Sequence, residues 1–89
     1  MATIIVRHKI KDYTAWRKIF DAEKSFRESS GERSFKLFQT EYDKNHIIGI
    51  FEFDTFENAH HFFESADLRQ KMRESGVTDQ PDIFYVKSA

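Results

Sequence analysis

The sequence predicts an α+β fold in which two β-α-β units share one four-stranded antiparallel sheet. Three observations support this prediction. Strand-like and helix-like segments follow each other in the order β-α-β-β-α-β, and the two halves of the chain repeat each other. The apolar mass is concentrated in aromatic side chains, which make up 16% of the 89 residues. A chain of this length has room for one core, so we expect a single domain over residues 1–89.

The first half of the chain predicts a strand, a helix and a second strand. Residues 3–10 begin with β-branched side chains and end in alternation, which is typical of a strand. Asp12 is placed to cap the helix that follows, and Gly31 is placed to end it in the left-handed conformation. The second strand is expected over about residues 34–40. The apolar stripe of the helix consists of Tyr13, Trp16, Phe20 and Phe26.

The second half begins with a hairpin. A polar stretch, residues 41–45, has the length of a hairpin loop and leads into a strand over about residues 46–54. The second helix is expected to begin near Asp54 or Thr55, because Glu57 has the spacing of a capping box with Asp54. The apolar stripe of this helix consists of Phe56, Ala59, Phe63 and Ala66.

The two halves align with each other, which supports this order of elements independently of propensity. A short helical piece over residues 67–75 and a last strand over residues 83–86 complete the second half. Two β-α-β halves with right-handed crossovers place both helices on one face of the sheet, which is the ferredoxin-like arrangement. A shift of 43 positions superposes Ile4 on Ile47, Ile5 on Ile48, Ile10 on Phe53, Tyr13 on Phe56, Ile19 on Phe62 and Phe20 on Phe63.

Alternation along the strands predicts that both sheet faces are apolar. The face toward the helices contains Ile4, Val6, His8, Ile47, Gly49 and Phe51. The third strand places Ile48 and Ile50 on the opposite face. The second strand adds Phe38 there, or else its neighbours Phe35 and Leu37. One layer of helices covers only one face, so we expect a second copy of the chain to cover the other and form a homodimer.

Composition excludes several classes of protein. The chain has no Cys, and therefore no disulfide framework, zinc-thiolate site or thiol nucleophile. A formal net charge of -1 supplies no electrostatic reason to expect nucleic acid as a partner. No apolar run is long enough for a membrane span and no signal segment is evident, so we expect a cytoplasmic protein. Phosphate loops, Ser-centred elbows and paired-carboxylate motifs are also absent.

His8 is the most suggestive single residue. An imidazole on the helix-facing side of a central strand would lie at the inner wall of a cavity between the sheet and the helices. Trp16, Phe20, Phe51 and Phe63 would then form a flat apolar pocket around it. The alternative is a structural histidine, hydrogen-bonded at the end of its strand, among rings that simply form the core. The residues leave both interpretations open.

The other histidines do not converge on a metal. His60 and His61 are adjacent on the second helix and therefore point about 100° apart. His60 borders the apolar stripe and is placed near the rim of the cavity, whereas His61 and His46 are expected at the surface. We therefore expect no metal and no other cofactor.

Three charged residues share the sheet face away from the helices. They are Arg7, Lys9 and Glu52. If this face is buried in a dimer, these charges must pair or reach its rim. The alternative is that they attract an anionic substrate, and pairing is the favoured interpretation.

Three segments resemble small dimeric α+β barrel proteins of the antibiotic-biosynthesis-monooxygenase-like group. They are residues 6–13 followed by Trp16, residues 51–54, and residues 65–69 followed by Met72. The resemblance implies a homodimer whose two sheets face each other, with a cavity between the sheet and the helices of each subunit. It also implies activities such as those of cofactor-free oxygenases, in which a phenolic or quinol substrate is positioned, deprotonated and allowed to react with oxygen.

The resemblance implies roles for individual residues. His8 would be the base, Trp16 and Phe51 would stack on an aromatic substrate, and His60 or Tyr85 would supply a second polar contact. Haem-degrading relatives use an Asn on the first strand, where this chain has His8, so the resemblance argues against haem degradation. The alternative function is a noncatalytic dimer, either ligand-binding or stress-associated, whose cavity holds a small aromatic molecule or is simply packed.

Overall fold

The computed structural model describes residues 1–89 and contains four strands and four helices. In chain order they are β1 (Ala2–Lys9), α1 (Tyr13–Ala22), α2 (Lys24–Ser29), β2 (Glu32–Thr40), β3 (Asp43–Phe53), α3 (Phe56–Phe63), α4 (Ala66–Glu74) and β4 (Asp82–Val86). The strands form one antiparallel sheet in the order β2-β3-β1-β4, and the helices pack on one face of it. This confirms the predicted ferredoxin-like α+β fold. No helix is both long and apolar enough to cross a membrane.

The first helix differs from the expected continuous segment, because it breaks at Glu23. The Glu23 N–H is shared between the carbonyls of Ile19 and Phe20, at 3.1 and 3.2 Å, which tightens the last turn of α1. In an unbroken helix Phe26 would lie about 120° around the axis from Phe20. The break brings Phe26 back to the core, where its ring centroid lies 5.3 Å from that of Phe62.

Two turns also differ from the sequence-based expectation. The hairpin turn contains only Glu41 and Tyr42, because β3 begins at Asp43, which pairs with Thr40 after a register shift in β2. The cap of α3 is Thr55, whose Oγ1 accepts a hydrogen bond from the Asn58 N–H at 3.0 Å. Asp54 therefore does not form the predicted capping box, and instead its carboxylate accepts hydrogen bonds from the Asn58 side chain.

The register of the sheet places the two faces as strand alternation predicts. On β1, the helix-facing side chains are buried, and those between them are half-buried or exposed. On β2, Phe35 and Leu37 pack toward the helices, so Phe38 is the residue on the outer face, paired across the strands with Ile48. Phe38 is 49% exposed and Phe84, on β4, is 54% exposed. No element of the chain covers this outer face.

Arg7, one of the three charged residues predicted for the outer face, pairs with carboxylates of the same chain. Arg7 donates from Nε to Asp82 at 2.7 Å and from Nη1 to Asp79 at 3.0 Å. Asp79 also accepts the Lys9 backbone N–H at 2.8 Å, which ties the chain before β4 to the end of β1. At the other end of the sheet, Glu52 accepts the Thr3 hydroxyl at 2.8 Å. Arg7 is therefore paired with opposite charges within one chain, whereas Glu52 is held by a hydroxyl and Lys9 is bonded only through its backbone.

Gly49 makes room for an aromatic ring in the core. A Cβ at this position would lie 2.6 Å from Cε2 of Phe51, closer than real side chains approach each other. The absence of a side chain lets the Phe51 ring fold back over its own strand, where it meets Phe20 from α1 and Phe63 from α3. One small residue thus positions a central ring of the helix-facing layer.

Candidate ligand cavity between the sheet and the helices

A cavity of about 80 Å³ lies between the helix-facing side of the sheet and the helices. Side chains from β1, β3 and all four helices line it, and ten of the fifteen lining residues are hydrophobic. The hydrophobic residues are Val6, Trp16, Ile19, Phe20, Phe26, Phe51, Phe62, Phe63, Leu68 and Met72. The polar residues are His8, Glu23, Arg27, Lys71 and Ser75. The cavity is therefore an apolar space with a few polar groups, the usual character of a small-molecule site.

His8 lies in the wall of this cavity. Strand β1 places it opposite Ile47 on the helix-facing side, where it is only 5% exposed. Its ring meets the indole of Trp16 edge-on, with the two centroids 5.6 Å apart. Its Nδ1 is buried and has no hydrogen-bond partner. Buried polar atoms are almost always paired in folded proteins, so this nitrogen is an unused hydrogen-bonding group inside the molecule.

Burial keeps the His8 imidazole neutral. Burial away from water lowers the pKa of His8 from 6.5 to about 4. The charges of Arg7 and His46 also lower this pKa, and the negative charge of Asp79 partly opposes the decrease. At neutral pH the ring therefore has one nitrogen without a proton. Such a nitrogen can accept a proton from a hydroxyl group within hydrogen-bonding distance.

Aromatic rings form the rest of the wall beside His8. Trp16 and Phe20 occur four residues apart on α1 and stack with their centroids 5.1 Å apart and their planes at 26°. Phe51 lies 6.3 Å from Phe20, and Phe63 meets the edge of Phe51 at 5.7 Å. The structure therefore brings together five residues that the sequence predicted for one pocket, and their roles toward a ligand remain a prediction.

Arg27 also lines the cavity and forms a buried ion pair with Glu32, which the sequence pattern did not predict. Arg27 and Glu32 are 4% and 5% exposed, and Arg27 Nε donates to Glu32 Oε2 at 2.8 Å. The guanidinium lies over the ring of Phe20, 3.7 Å from its centroid, and its Nη1 donates to the Phe20 carbonyl. Burial raises the pKa of Glu32, while Arg27 opposes the rise. The one signal for this pair in the sequence is the position of Arg27, directly after Phe26 of the apolar stripe and before the helix end predicted at Gly31.

His60 and Tyr85 lie outside the cavity, contrary to the expectation that one of them would be its second polar contact. Phe62 and Phe63 occupy the cavity side of α3, so His60 leaves the helix on another flank. There its ring stacks on Tyr85, with centroids 3.8 Å apart, beside the edge strand β4. The two rings share the Glu64 carboxylate, at 2.6 Å from His60 Nδ1 and 3.4 Å from the Tyr85 hydroxyl.

The Glu64 cluster has the electrostatics of a surface network. The hydrogen bond from His60 lowers the pKa of the Glu64 carboxyl. Partial burial raises the pKa of the Tyr85 hydroxyl, and the neighbouring carboxylate adds to the rise. Nowhere in the chain do three or more His, Cys, Asp or Glu side chains converge in a group suited to a metal ion.

Helix α4 lines one side of the cavity and is the least buried of the helices around it. None of its residues is buried, and Leu68 and Met72 face the cavity half-exposed. Lys71 ties it to the break in the first helix, with Nζ 3.4 Å from Glu23 Oε2 and 5.1 Å from the centroid of the Phe26 ring. Ion pairs of this exposure contribute little to stability, so α4 is the element that can yield most easily to a ligand.

Comparison with known proteins identifies the class of fold. No protein-family model matches the sequence, and no curated protein matches it. Among solved structures, an antibiotic biosynthesis monooxygenase superposes with a TM-score of 0.74 at 12% identity, over 100% of this chain and 99% of the other. A candidate antibiotic biosynthesis monooxygenase from Bordetella bronchiseptica superposes with a TM-score of 0.80 at 11% identity, over 99% of this chain and 96% of the other.

A third structural relative has a more specific description. SnoaB from Streptomyces nogalater, a cofactor-independent oxygenase, superposes with a TM-score of 0.72 at 11% identity, over 99% of this chain and 94% of the other. The chain therefore has the fold of the antibiotic-biosynthesis-monooxygenase-like proteins, as the sequence resemblance predicts. At these identities the likeness establishes the fold, and the activity has to be argued from the cavity.

Proposed function

We propose that the protein is a cofactor-independent monooxygenase that acts on a small phenol or quinol, with His8 as its general base. The observation that supports this most directly is the neutral imidazole of His8, which lines a cavity walled by aromatic rings and whose buried Nδ1 has no hydrogen-bond partner. A base that is kept free of protein partners is available to a substrate. SnoaB, which shares the fold, is a cofactor-independent oxygenase, so this fold supports such chemistry.

In the proposed reaction, His8 takes the proton of a phenolic hydroxyl, and the resulting phenolate is electron-rich enough to reduce dioxygen. One oxygen atom bonds to a ring carbon that carries hydrogen. Loss of water from the peroxide formed there leaves a carbonyl on the ring, so one oxygen atom enters the product and the other leaves as water. The departing oxygen takes two protons, the one held by His8 and the one lost from the ring carbon, and leaves as water. Trp16 and Phe51 hold the ring in place by stacking and exclude water from the cavity.

The size of the cavity restricts the substrate. Cavities that hold drug-sized ligands measure about 300–1,000 Å³, and an apolar cavity of about 150 Å³ holds benzene. The cavity here measures about 80 Å³, so even a single substituted ring requires α4 to move outward. We therefore expect monocyclic phenols and quinols as substrates and little activity on compounds with several fused rings.

Oxygen uptake tests this proposal. Wild-type protein is incubated with hydroquinone, catechol and their methylated derivatives, and the rate is compared with that of His8→Gln. We expect the variant to lose about 10²–10⁴-fold in rate, the usual contribution of a general base. His61→Gln, which replaces an exposed histidine of α3, is the matched control and should keep the parent rate. Absence of uptake with every compound, or an unchanged rate in His8→Gln, would contradict the proposal.

The proposal includes a homodimer formed through the outer face of the sheet. This face carries Ile5, Ile48 and Ile50 between Phe38 and Phe84, which are about half-exposed. A continuous apolar surface of this kind normally faces another protein, and a second copy of the chain always offers the same surface. Light scattering tests this: we expect twice the single-chain mass of 10.6 kDa, and a stable monomer would contradict it.

The second candidate function is a noncatalytic dimer that binds a small aromatic molecule. The observation in its favour is the tight mutual packing of the rings around a cavity of about 80 Å³. The two candidates differ in one measurement, since both bind small phenols but only the oxygenase consumes oxygen with them. Both include the cytoplasmic location expected from the sequence, which cell fractionation tests.

A further inference from the structure

The pairing between β1 and the chain beside it is irregular near the end of β1. The regular ladder with β4 ends where Arg7 pairs with Asp82, and the next bridge joins Ile10 to Val77. Between these two pairs, two residues of β1 lie opposite four residues of the segment that leads into β4. This segment therefore bulges out of the ladder, and bulges of this kind re-aim side chains beside functional sites.

The bulge inserts the carboxylate of Asp79 into the sheet beside His8. Its Oδ1 accepts the backbone N–H of Lys9 at 2.8 Å, where a regular ladder would supply a backbone carbonyl. That nitrogen is two covalent bonds from the Cα of His8, so the carboxylate is held next to the residue that carries the imidazole. Its Oδ2 accepts from Nη1 of Arg7 at 3.0 Å, so both oxygens are fixed.

Asp79 carries the negative charge that acts on His8. Desolvation works to raise the pKa of Asp79, but the hydrogen bonds from Lys9 and Arg7 hold this pKa below its usual value. Burial is the main cause that lowers the pKa of His8. Among the neighbouring charges, Asp79 opposes this decrease, whereas Arg7 and His46 add to it.

The cavity side of His8 offers no equivalent of Asp79. There α1 contributes the indole of Trp16, which meets the imidazole edge-on. The charged residues that line the cavity belong to two ion pairs, Arg27 with Glu32 and Lys71 with Glu23. Compensation for a proton taken up by His8 therefore comes from the sheet.

We propose that Asp79 is a positioning residue for His8, whose carboxylate, set into the sheet by the bulge, stabilises the positive charge that His8 gains when it takes a proton from a ligand. An imidazolium in an apolar cavity is costly, and a fixed carboxylate beside it reduces that cost. Asp79 thus makes His8 a stronger base than burial alone would leave it. The catalytic consequence rests on the proposed function, whereas the effect on the imidazole does not.

Histidine NMR on the resting protein tests the charge effect without any substrate. The test variant is Asp79→Asn, which keeps an oxygen for the Lys9 N–H and removes the charge. The matched control is Asp82→Asn, because Asp82 also binds Arg7, at 2.7 Å, but from the regular ladder of β4. Native-state signals are followed from about pH 7 to about pH 3.5, and the signal of His8 is assigned by its absence in His8→Gln.

We expect His8 to take up its proton at lower pH in Asp79→Asn than in wild type, and at the wild-type pH in Asp82→Asn. Unchanged titration of His8 in Asp79→Asn would overturn the inference. An equal shift in both variants would also overturn it, because the effect would then come from the charge balance of Arg7. If Asp79→Asn does not fold, Asp79→Ser gives the same comparison, since its hydroxyl can also accept the Lys9 N–H.

Oxygen uptake tests the catalytic consequence. Asp79→Asn should lower kcat about 10-fold and leave KM nearly unchanged, because the lost charge acts on the protonated imidazole and not on the bound substrate. Asp82→Asn should keep the parent rate. A wild-type rate in Asp79→Asn would overturn the catalytic role of Asp79. Inactivity of the wild-type protein would contradict the proposed function alone, since the NMR comparison decides the effect of Asp79 on His8 by itself.

Discussion

The two faces of the same sheet differ in what each leaves without a partner. The helix-facing side buries its apolar side chains but leaves one buried polar atom without a hydrogen-bond partner, Nδ1 of His8. On the outer side Arg7 pairs with Asp79 and Asp82, but apolar rings are exposed. The first face therefore suits a small ligand with a polar group, and the second suits an apolar protein surface.

The largest expected effect comes from breaking the buried pair on the helix-facing side. Arg27→Met should lower the free energy of unfolding by about 3–5 kcal/mol, because it leaves Glu32 buried with an uncompensated charge. Chemical denaturation measures the loss. Adding Glu32→Leu to Arg27→Met should recover most of the lost stability. If Arg27→Met alone is as stable as the parent, this prediction is wrong, because Glu32 is then hydrated or protonated at little cost.

Acid should weaken the same face through His8. A histidine whose pKa is lowered from 6.5 to about 4 on folding binds fewer protons in the folded state than in the unfolded state between these values. The stabilisation that comes from the neutral form of His8 is therefore fully present above pH 6.5. As the pH falls toward 4, the free energy of unfolding decreases by about 3 kcal/mol. Denaturation curves of wild type and His8→Gln across this range measure the difference, and parallel pH profiles would contradict it.

A smaller effect is expected at Gly49, where the sheet makes room for the Phe51 ring. In Gly49→Ala the new Cβ would meet that ring at 2.6 Å, which should cost about 1–3 kcal/mol of stability. Phe51→Leu should relieve part of this cost when added to Gly49→Ala. If the ring moves aside freely, Gly49→Ala will instead equal or exceed the parent in stability, because Ala suits a strand better than Gly.

The smallest effect on the single chain is expected on the outer face. Phe84→Ser removes a ring that is 54% exposed, so the intrinsic stability of one subunit should change by less than about 1 kcal/mol. The proposed dimer should nevertheless weaken strongly, which sedimentation or light scattering at several concentrations measures. Tyr42→Ser is the matched control, because Tyr42 is 94% exposed in the hairpin turn and lies off this face.

Much of this contrast between faces was readable from the residue pattern. Alternation on β1 placed His8 on the helix-facing side, and the i,i+4 spacing of Trp16 and Phe20 placed both rings beside it. The apolar side chains Ile48 and Ile50 were likewise predicted for the opposite face. These are local properties of the chain, because a strand repeats every two residues and a helix every 3.6 whatever surrounds them.

The errors came from places where packing overrides local periodicity. The break at Glu23 changes the direction in which Arg27 points, and no helical repeat from Trp16 or Phe20 extends across it. His60 lies next to the apolar stripe of α3, but the helix turn that directs Phe62 and Phe63 into the cavity places His60 on the flank beside Tyr85. Which side of α3 faces the cavity is decided by how the helix packs on the sheet.

The sequence by itself determined the order of elements, the two sheet faces and the aromatic character of the core. It did so because side chains two, three or four residues apart are held on a common face by backbone hydrogen bonding alone. Only the tertiary structure decided that Arg27 and His8 share a cavity while His60 and Tyr85 do not. That choice depends on where separate elements cross, which is set by the volumes of the packed rings and the burial of the Arg27–Glu32 pair.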